Sequence, residues 1–414
     1  MLLEAYRQSI GSILNILLRS NPPPVDSLPT ELLEIIFDDI LAIPFLLDGD
    51  CDPVDFYFFA IAHRAWDATG AERRSYGEKW KTLRAVCRRW KAIVDRHSRT
   101  WVRIRSSTAV WNIPPEARRV DVLLPSPVGS SVDIITVSPQ IDEVESHNIQ
   151  VLSLSESHQS TLFGTAQSNL AELNRVLGVA AQWTRSIHSV IYEGDVKLGP
   201  VHLEALNSVF PLITSLTLHV KEISGTLSLP NLKVLWISAG TFDISRWDLP
   251  SLRHLALGDQ HTTERTIHYD SLKLGSIKNQ FLSLLKFYPY HLNLDPLFWA
   301  DHPSLEFLGA PCLLLDPDDT TTDSHNARIF CITGPEIDNT DGRIDGFSLH
   351  IPQFPHLKTF ITPNKQLHTP EGPNAAKFLA MLKYCAENDI TWYIGYGERA
   401  REPAKREHFA NIFG

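Results

Sequence analysis

Carboxylates, cysteines and histidines are the side chains of this chain that could do chemistry, and their spacing limits which chemistry is open. Asp316, Asp318, Asp319 and Asp323 fall in a Pro- and Thr-rich stretch, and Asp338, Asp341 and Asp345 lie around Gly342 and Gly346. Calcium loops take oxygen ligands at alternate positions, with a glycine for the turn and a closing glutamate. Neither run has that glutamate at the required offset, so both read as solvated loops and no metal is expected. The cysteines Cys51, Cys87, Cys312, Cys331 and Cys385 are scattered, odd in number and without a Cys-x-x-Cys pair. They read as free thiols of a reducing compartment, cytoplasmic or nuclear, rather than a zinc site or a disulfide framework. A cysteine nucleophile needs a base beside it, and spacing names none. Gly395-Tyr396-Gly397 lacks the third glycine and the strand-then-helix setting of a phosphate loop. The hydrolase signatures Gly-x-Ser-x-Gly and His-Glu-x-x-His are absent. No catalytic residue and no cofactor is therefore expected. An active site dispersed along the chain is the enzymatic alternative, and a deep pocket with converging ionisable groups would reveal it.

What remains is a pair of apolar patterns that position side chains for contact. The first is Leu28-Pro29-Thr30-Glu31-Leu32-Leu33-Glu34-Ile35-Ile36-Phe37. Leu32, Leu33, Ile36, Phe37 and Ile40 recur at helical spacing and make one stripe. Pro29 suits a helix start, where its missing N–H would have no partner anyway. Glu31 and Glu34 suit the positive end of the helix dipole. The second runs from Leu83 to Val94, and Trp101 follows it. Leu83, Val86, Cys87, Trp90 and Val94 share a face by the same rule, with Arg84, Arg88, Arg89 and Lys91 placed elsewhere and in water. Each helix is too short to be stable alone and needs a packing partner.

Leu-Pro opening the first helix, Val86-Cys87-Arg88-Arg89-Trp90 in the second and a tryptophan about ten residues later together resemble the F-box family. The resemblance covers roughly residues 26 to 102. It implies a substrate-recognition adaptor of a Skp–cullin–F-box type ubiquitin ligase, acting in ubiquitin-dependent protein degradation. By that resemblance Leu28, Pro29, Leu32, Leu33, Ile36, Leu83, Val86, Cys87 and Trp90 serve a Skp-type adaptor, and through it a cullin, while also serving the module's own core. Ligation would occur on another subunit, so this chain supplies proximity and no catalytic side chain. One departure is the long segment from Leu41 to Lys81 between the two pieces, where the family has a short connection. It holds Phe56-Tyr57-Phe58-Phe59-Ala60-Ile61 and Trp66, which is too apolar for a plain solvated loop. Length alone costs little closure entropy, but the segment could extend or block the docking face.

Composition sets outer bounds. With 414 residues, 43% apolar and 21% charged, the chain is of globular type and long enough for two or three domains. A net charge of −10 argues against nucleic acid as a main partner. Residues 1–25 hold an amphipathic stretch and then Pro22-Pro23-Pro24, a stiff spacer. The apolar run there is too short to cross a membrane, so no membrane partner is expected.

From about residue 110 a phrase recurs: Pro, one residue, Leu or Ile, two residues, Leu, one residue, Leu or Ile. It reads Pro211 to Leu218, Pro230 to Ile237 and Pro250 to Leu257, with its first anchor moving from 213 to 232 to 252. Looser copies begin at Pro303 and Pro355, and Ile149 to Leu154 and Leu282 to Phe287 keep the apolar spacing without the proline. Alternating leucines point one way from a short strand. Units of about 20 residues cannot bury that face alone and must stack. The expected fold is an N-terminal helical F-box module (residues 26–105, with an insertion at about 41–81), then a curved leucine-rich-repeat-like α/β solenoid over 110–414. The pattern is degenerate: the asparagine that closes each turn of such a ladder is missing from its usual place. A non-repeat α/β domain is the alternative. Helices are expected at 161–182 and 375–387. The strand residues between the leucines, among them Thr217, Trp236 and Ala256, are expected to face a target protein. A stand-alone binding scaffold whose helices do not dock a ligase is the alternative function.

Overall fold

The computed structural model describes residues 28–40, 71–98, 101–106, 110–111, 113–115, 117–124, 140–141, 149–156, 167–181, 185–194, 197–258, 266–268, 284–288, 291–293, 298–310, 312–314, 327–332, 356–362 and 383–394. The expectations for residues 1–25, for Phe56 to Trp66, for both aspartate runs and for Gly395 to Gly397 lie outside these residues.

Three helices come first: α1 (Thr30–Ile40), α2 (Ala71–Val86) and α3 (Arg88–Ser98). Their apolar residues Leu33, Phe37, Ile93 and Val94 form a small core of their own. One sequence expectation needs correction here, at the second apolar piece. Residues 71–81, which lie in the segment read as an insertion, form the first turns of α2. Trp80 explains why: it packs on the small core and its Nε1 donates to the Val94 carbonyl at 3.4 Å. The second apolar piece is two helices rather than one, because the chain breaks at Cys87.

Strands then dominate. The chain runs β1 (Trp101–Arg105), β2 (Val110–Trp111), β3 (Arg119–Leu124), β4 (Gln140–Ile141), β5 (Val151–Glu156), α4 (Gln167–Ala180), β6 (Ser189–Glu193), β7 (Lys197–Leu198), α5 (Pro200–Val209), β8 (Ser215–Ile223), β9 (Val234–Phe242) and β10 (His254–Gly258). It continues with β11 (Thr266–His268), β12 (Leu284–Tyr288), β13 (His291–Asn293), α6 (Phe298–Asp301), β14 (Phe307–Ala310), β15 (Cys312–Leu314), β16 (Ile329–Ile332), β17 (Thr359–Thr362) and β18 (Thr391–Ile394). The main sheet has the order β1-β3-β5-β6-β8-β9-β10-β12-β14-β16-β17-β18, with β7 paired to β8. Each step along that order moves forward in the chain, and each pairing is parallel. Parallel neighbours need a crossover connection. Smaller parallel ribbons, β2-β4 and β11-β13-β15, form beside the main sheet. Trp101, expected to close the helical module, instead opens the sheet opposite Arg119, so the sheet begins before residue 110.

The recurring phrase explains the register. Leu216, Leu235 and Leu255 are neighbours across β8, β9 and β10, and Leu218, Ile237 and Leu257 follow two residues on. All six are buried in one continuous core with Val120, Val122, Leu152 and Leu154. Helix α4 falls inside the expected 161–182 and buries Leu173, Val176 and Leu177 against the same core. Of the expected 375–387 helix, residues 383–387 are described and are helical, with Cys385 buried. Helix α5 was not read from the sequence; ten residues with only Leu203 and Leu206 as strong apolar anchors make a weak periodic signal.

The other face of the sheet overturns an expectation. Thr217 is 1% exposed, Trp236 2% and Ala256 5%, so none of them is available to a partner. Val151, Ile191 and Val234 on the same face are also buried. The residues between the leucines are themselves largely apolar, and strands covered on both faces read as near-continuous hydrophobic runs. Among the polar exceptions on this face, Arg119 and Asp121, two apart on β3, form a buried ion pair at 2.6 Å, and the Arg119 guanidinium lies 5.2 Å from the Trp101 ring centre.

The turns before β9 and β10 are tied to the preceding ones by side chains. Asn231 Nδ2 donates to the Pro211 carbonyl at 3.4 Å, and Ser251 Oγ donates to the Pro230 carbonyl at 2.5 Å. Both donors follow the proline of the phrase directly.

Candidate docking site on the helical module

The site is built from one end of the three-helix module. The Pro29 carbonyl accepts the first helical bond of α1 from the Leu33 amide at 3.2 Å, so proline stands at the cap and Thr30 begins the helix. Cys87 plays the same part for α3. Its carbonyl accepts from the Lys91 amide at 2.9 Å, and its Sγ accepts from the Trp90 amide at 3.4 Å. A cap side chain satisfies one of the free amides of a helix start, although sulfur is a weak acceptor. Cys87 is thus a helix cap, not a member of a single apolar stripe.

Arg89 joins the two starts. Its guanidinium donates to the Leu28 carbonyl at 2.6 Å and to Thr30 Oγ1 at 2.8 Å. This corrects the expectation that Arg89 points into water. The signal for it was present in the sequence only as a cation one residue before Trp90, which does not distinguish a wet arginine from a bridging one. Below this joint the Phe37 and Trp90 rings meet edge to face, with centres 4.9 Å apart. Exposed ion pairs, Arg96–Glu34 at 3.0 Å and Arg84–Asp95 at 2.8 Å, lie across the helices and contribute little each.

The nine residues named from the sequence divide into three groups. Leu33 is 1% exposed and belongs wholly to the module's core, so it has no surface to offer. Leu28, Ile36, Leu83, Cys87 and Trp90 are half-buried. Pro29 is exposed, and so are Leu32 at 41% and Val86 at 54%. Because Arg89 fastens the start of α3 to the start of α1, Pro29 and Leu32 lie at the same end of the module as Val86. An apolar end of this kind, with anchors half-sunk and leucine and valine raised, is what a protein partner can cover.

Among the described residues, no three His, Cys, Asp or Glu side chains are grouped to hold a metal. Among them too, no helix is long and apolar enough to cross a membrane. Burial pushes the Cys385 thiol up to about 11, away from the acidity a nucleophilic thiolate requires. Comparison with protein-family models, with curated proteins and with solved structures finds no match to this chain.

Proposed function

We propose that this protein is the substrate-recognition adaptor of a Skp–cullin–F-box type ubiquitin ligase. The helical module docks a Skp-type adaptor, and through it a cullin. The strand-rich remainder, read as a leucine-rich-repeat-like solenoid, holds a target protein. Ligation occurs on another subunit. The observation that carries this reading is that apolar Pro29, Leu32 and Val86 stay exposed on helices whose joined ends Arg89 ties together, while Leu28, Leu83 and Trp90 are half-buried. Leaving a leucine and a valine in water, next to a tryptophan, makes sense for a surface that is covered in an assembly. Support for the solenoid comes from parallel strands that follow chain order and from phrases spaced 19 and 20 residues apart. No residue is assigned to target contact, since the strand positions first expected to make it are buried.

The test is capture of a purified Skp-type adaptor by the tagged full chain, beside a Leu32→Asp/Val86→Asp variant. Both positions are exposed, so the variant should keep its circular dichroism and melting temperature. It should lose affinity by about tenfold or more, as removal of central interface anchors does. Failure of the parent to bind would sink the ligase role and favour a stand-alone binding scaffold. Undiminished binding by the variant would place the docking surface elsewhere.

A further inference from the structure

The apolar end of the helical module is set among cations that the fold does not neutralise. Lys81, Arg84 and Arg96 are matched by Glu78, Asp95 and Glu34. Lys79, Arg88 and Lys91 are exposed and make no ion pair among the described residues. Lys79 shares α2 with Val86, whereas Arg88 and Lys91 lie on α3. Lys79 precedes Val86 by seven residues, close to two full turns, and so lies on the same side of α2. Arg88 follows it by two, at the joint where the helices meet, and Lys91 lies one turn further along α3. Glu31 on α1 is also exposed and outside these ion pairs. This excess of positive charge sits in a chain whose net charge is −10, so it is a local feature and not a reflection of composition.

We infer that the partner covering Leu32 and Val86 is a protein whose contacting surface is acidic around an apolar centre, with Lys79, Arg88 and Lys91 setting its orientation and rate of encounter. The inference rests on the docking role proposed above and adds the charge of the partner to it. Apolar burial alone would tolerate any of several rotations of a partner about so small a patch. Unpaired cations on α2 and α3 would restrict it, because charges at an interface rim act on specificity and association rate more than on final affinity. Cationic faces also attract nucleic acid, but phosphate binding needs no exposed leucine and valine at the centre.

The test measures association of the purified full chain with a purified Skp-type adaptor between 50 and 500 mM NaCl. The probes are the parent, Lys79→Glu/Arg88→Glu/Lys91→Glu and Leu32→Asp/Val86→Asp, each checked for folding by circular dichroism. Charge reversal should slow association about tenfold at low salt, with the difference closing as salt rises, since exposed charges are screened over about 10 Å at 0.1 M. The apolar variant should lose binding at every salt. A charge-reversed variant that associates like the parent at 50 mM overturns the inference and leaves the docking role standing. A parent that fails to bind at any salt overturns both, and salt-dependent binding of a plain DNA duplex by the parent would assign the cations to nucleic acid instead.

Discussion

Cys87 shows how a single residue changes meaning between sequence and structure. At helical spacing from Leu83 and Trp90 it reads as apolar filling; in the fold it stops one helix and starts the next. Its sulfur accepts from the Trp90 amide while its carbonyl accepts from Lys91. Oxygen is the better acceptor at a helix start. Cys87→Ser should therefore hold or raise the thermal midpoint of the module, whereas Cys87→Ala should cost about 0.5–1 kcal/mol. Thermal unfolding of the three proteins, followed by far-ultraviolet circular dichroism, decides the matter. Equal losses in both variants would mean that the thiol acts through packing. Periodicity could not foresee this, because it records which residues share a face and not where the backbone stops being helical. Arg89 was misread for a related reason: its partners, Leu28 and Thr30, are about 60 residues away, and no local pattern reports a contact of that separation.

At the scale of elements, helix α5 carries a pH dependence of its own. Gly199 stands before the helix and Pro200 begins it. The Gly199 amide donates to His202 Nδ1 at 3.0 Å, an arrangement open only to an imidazole whose Nδ1 is unprotonated. Burial lowers the His202 pKa below its ordinary value. The folded state thus prefers the neutral ring, and the stability this confers is complete above the ordinary histidine range. It is lost as pH falls through about 6.5 and then through the lower folded value. His202→Gln keeps a side-chain acceptor and removes the titration. Between pH 7.5 and 5, the parent should lose more of its melting temperature than His202→Gln does. Parallel decline in the two would show that His202 makes no difference to acid stability. The elements legible in the sequence were those with a repeated, long-range pattern: the phrases beginning at Pro211, Pro230 and Pro250 mark β8, β9 and β10 because leucines two apart must share a face. Helix α5, with two strong anchors in ten residues, offered too little contrast to be seen. For the docking site, Leu28 to Ile36 and Leu83 to Trp90 were legible as apolar helical faces, but which of them remained in water was not. That division depends on the angle at which α1 meets α3, which Arg89 and Trp90 set.

For the whole molecule, the question is what the sheet is covered with on each side. The sequence pattern assigned the leucines to a core and everything between them to solvent or to a partner. Yet Val234, Trp236 and Ala256 lie between leucines and are as buried as the leucines themselves. The consequence is measurable. A tryptophan that contacts only a partner can be cut back to alanine within about 0.5 kcal/mol of parental stability, as other surface changes can. One enclosed by its own chain leaves a large cavity when removed, and Trp236→Ala should cost about 3–5 kcal/mol. Lys233→Ala, one position before Val234, supplies a less buried comparison and should lie near the parent. Urea midpoints for the three proteins separate the cases, provided the slope of the transition is unchanged. A large loss at Trp236 alone places any target surface away from the strands, in the segments that join them. A midpoint at the parental value would return Trp236 to the exterior, and with it Thr217 and Ala256, as the first residues to examine for target binding.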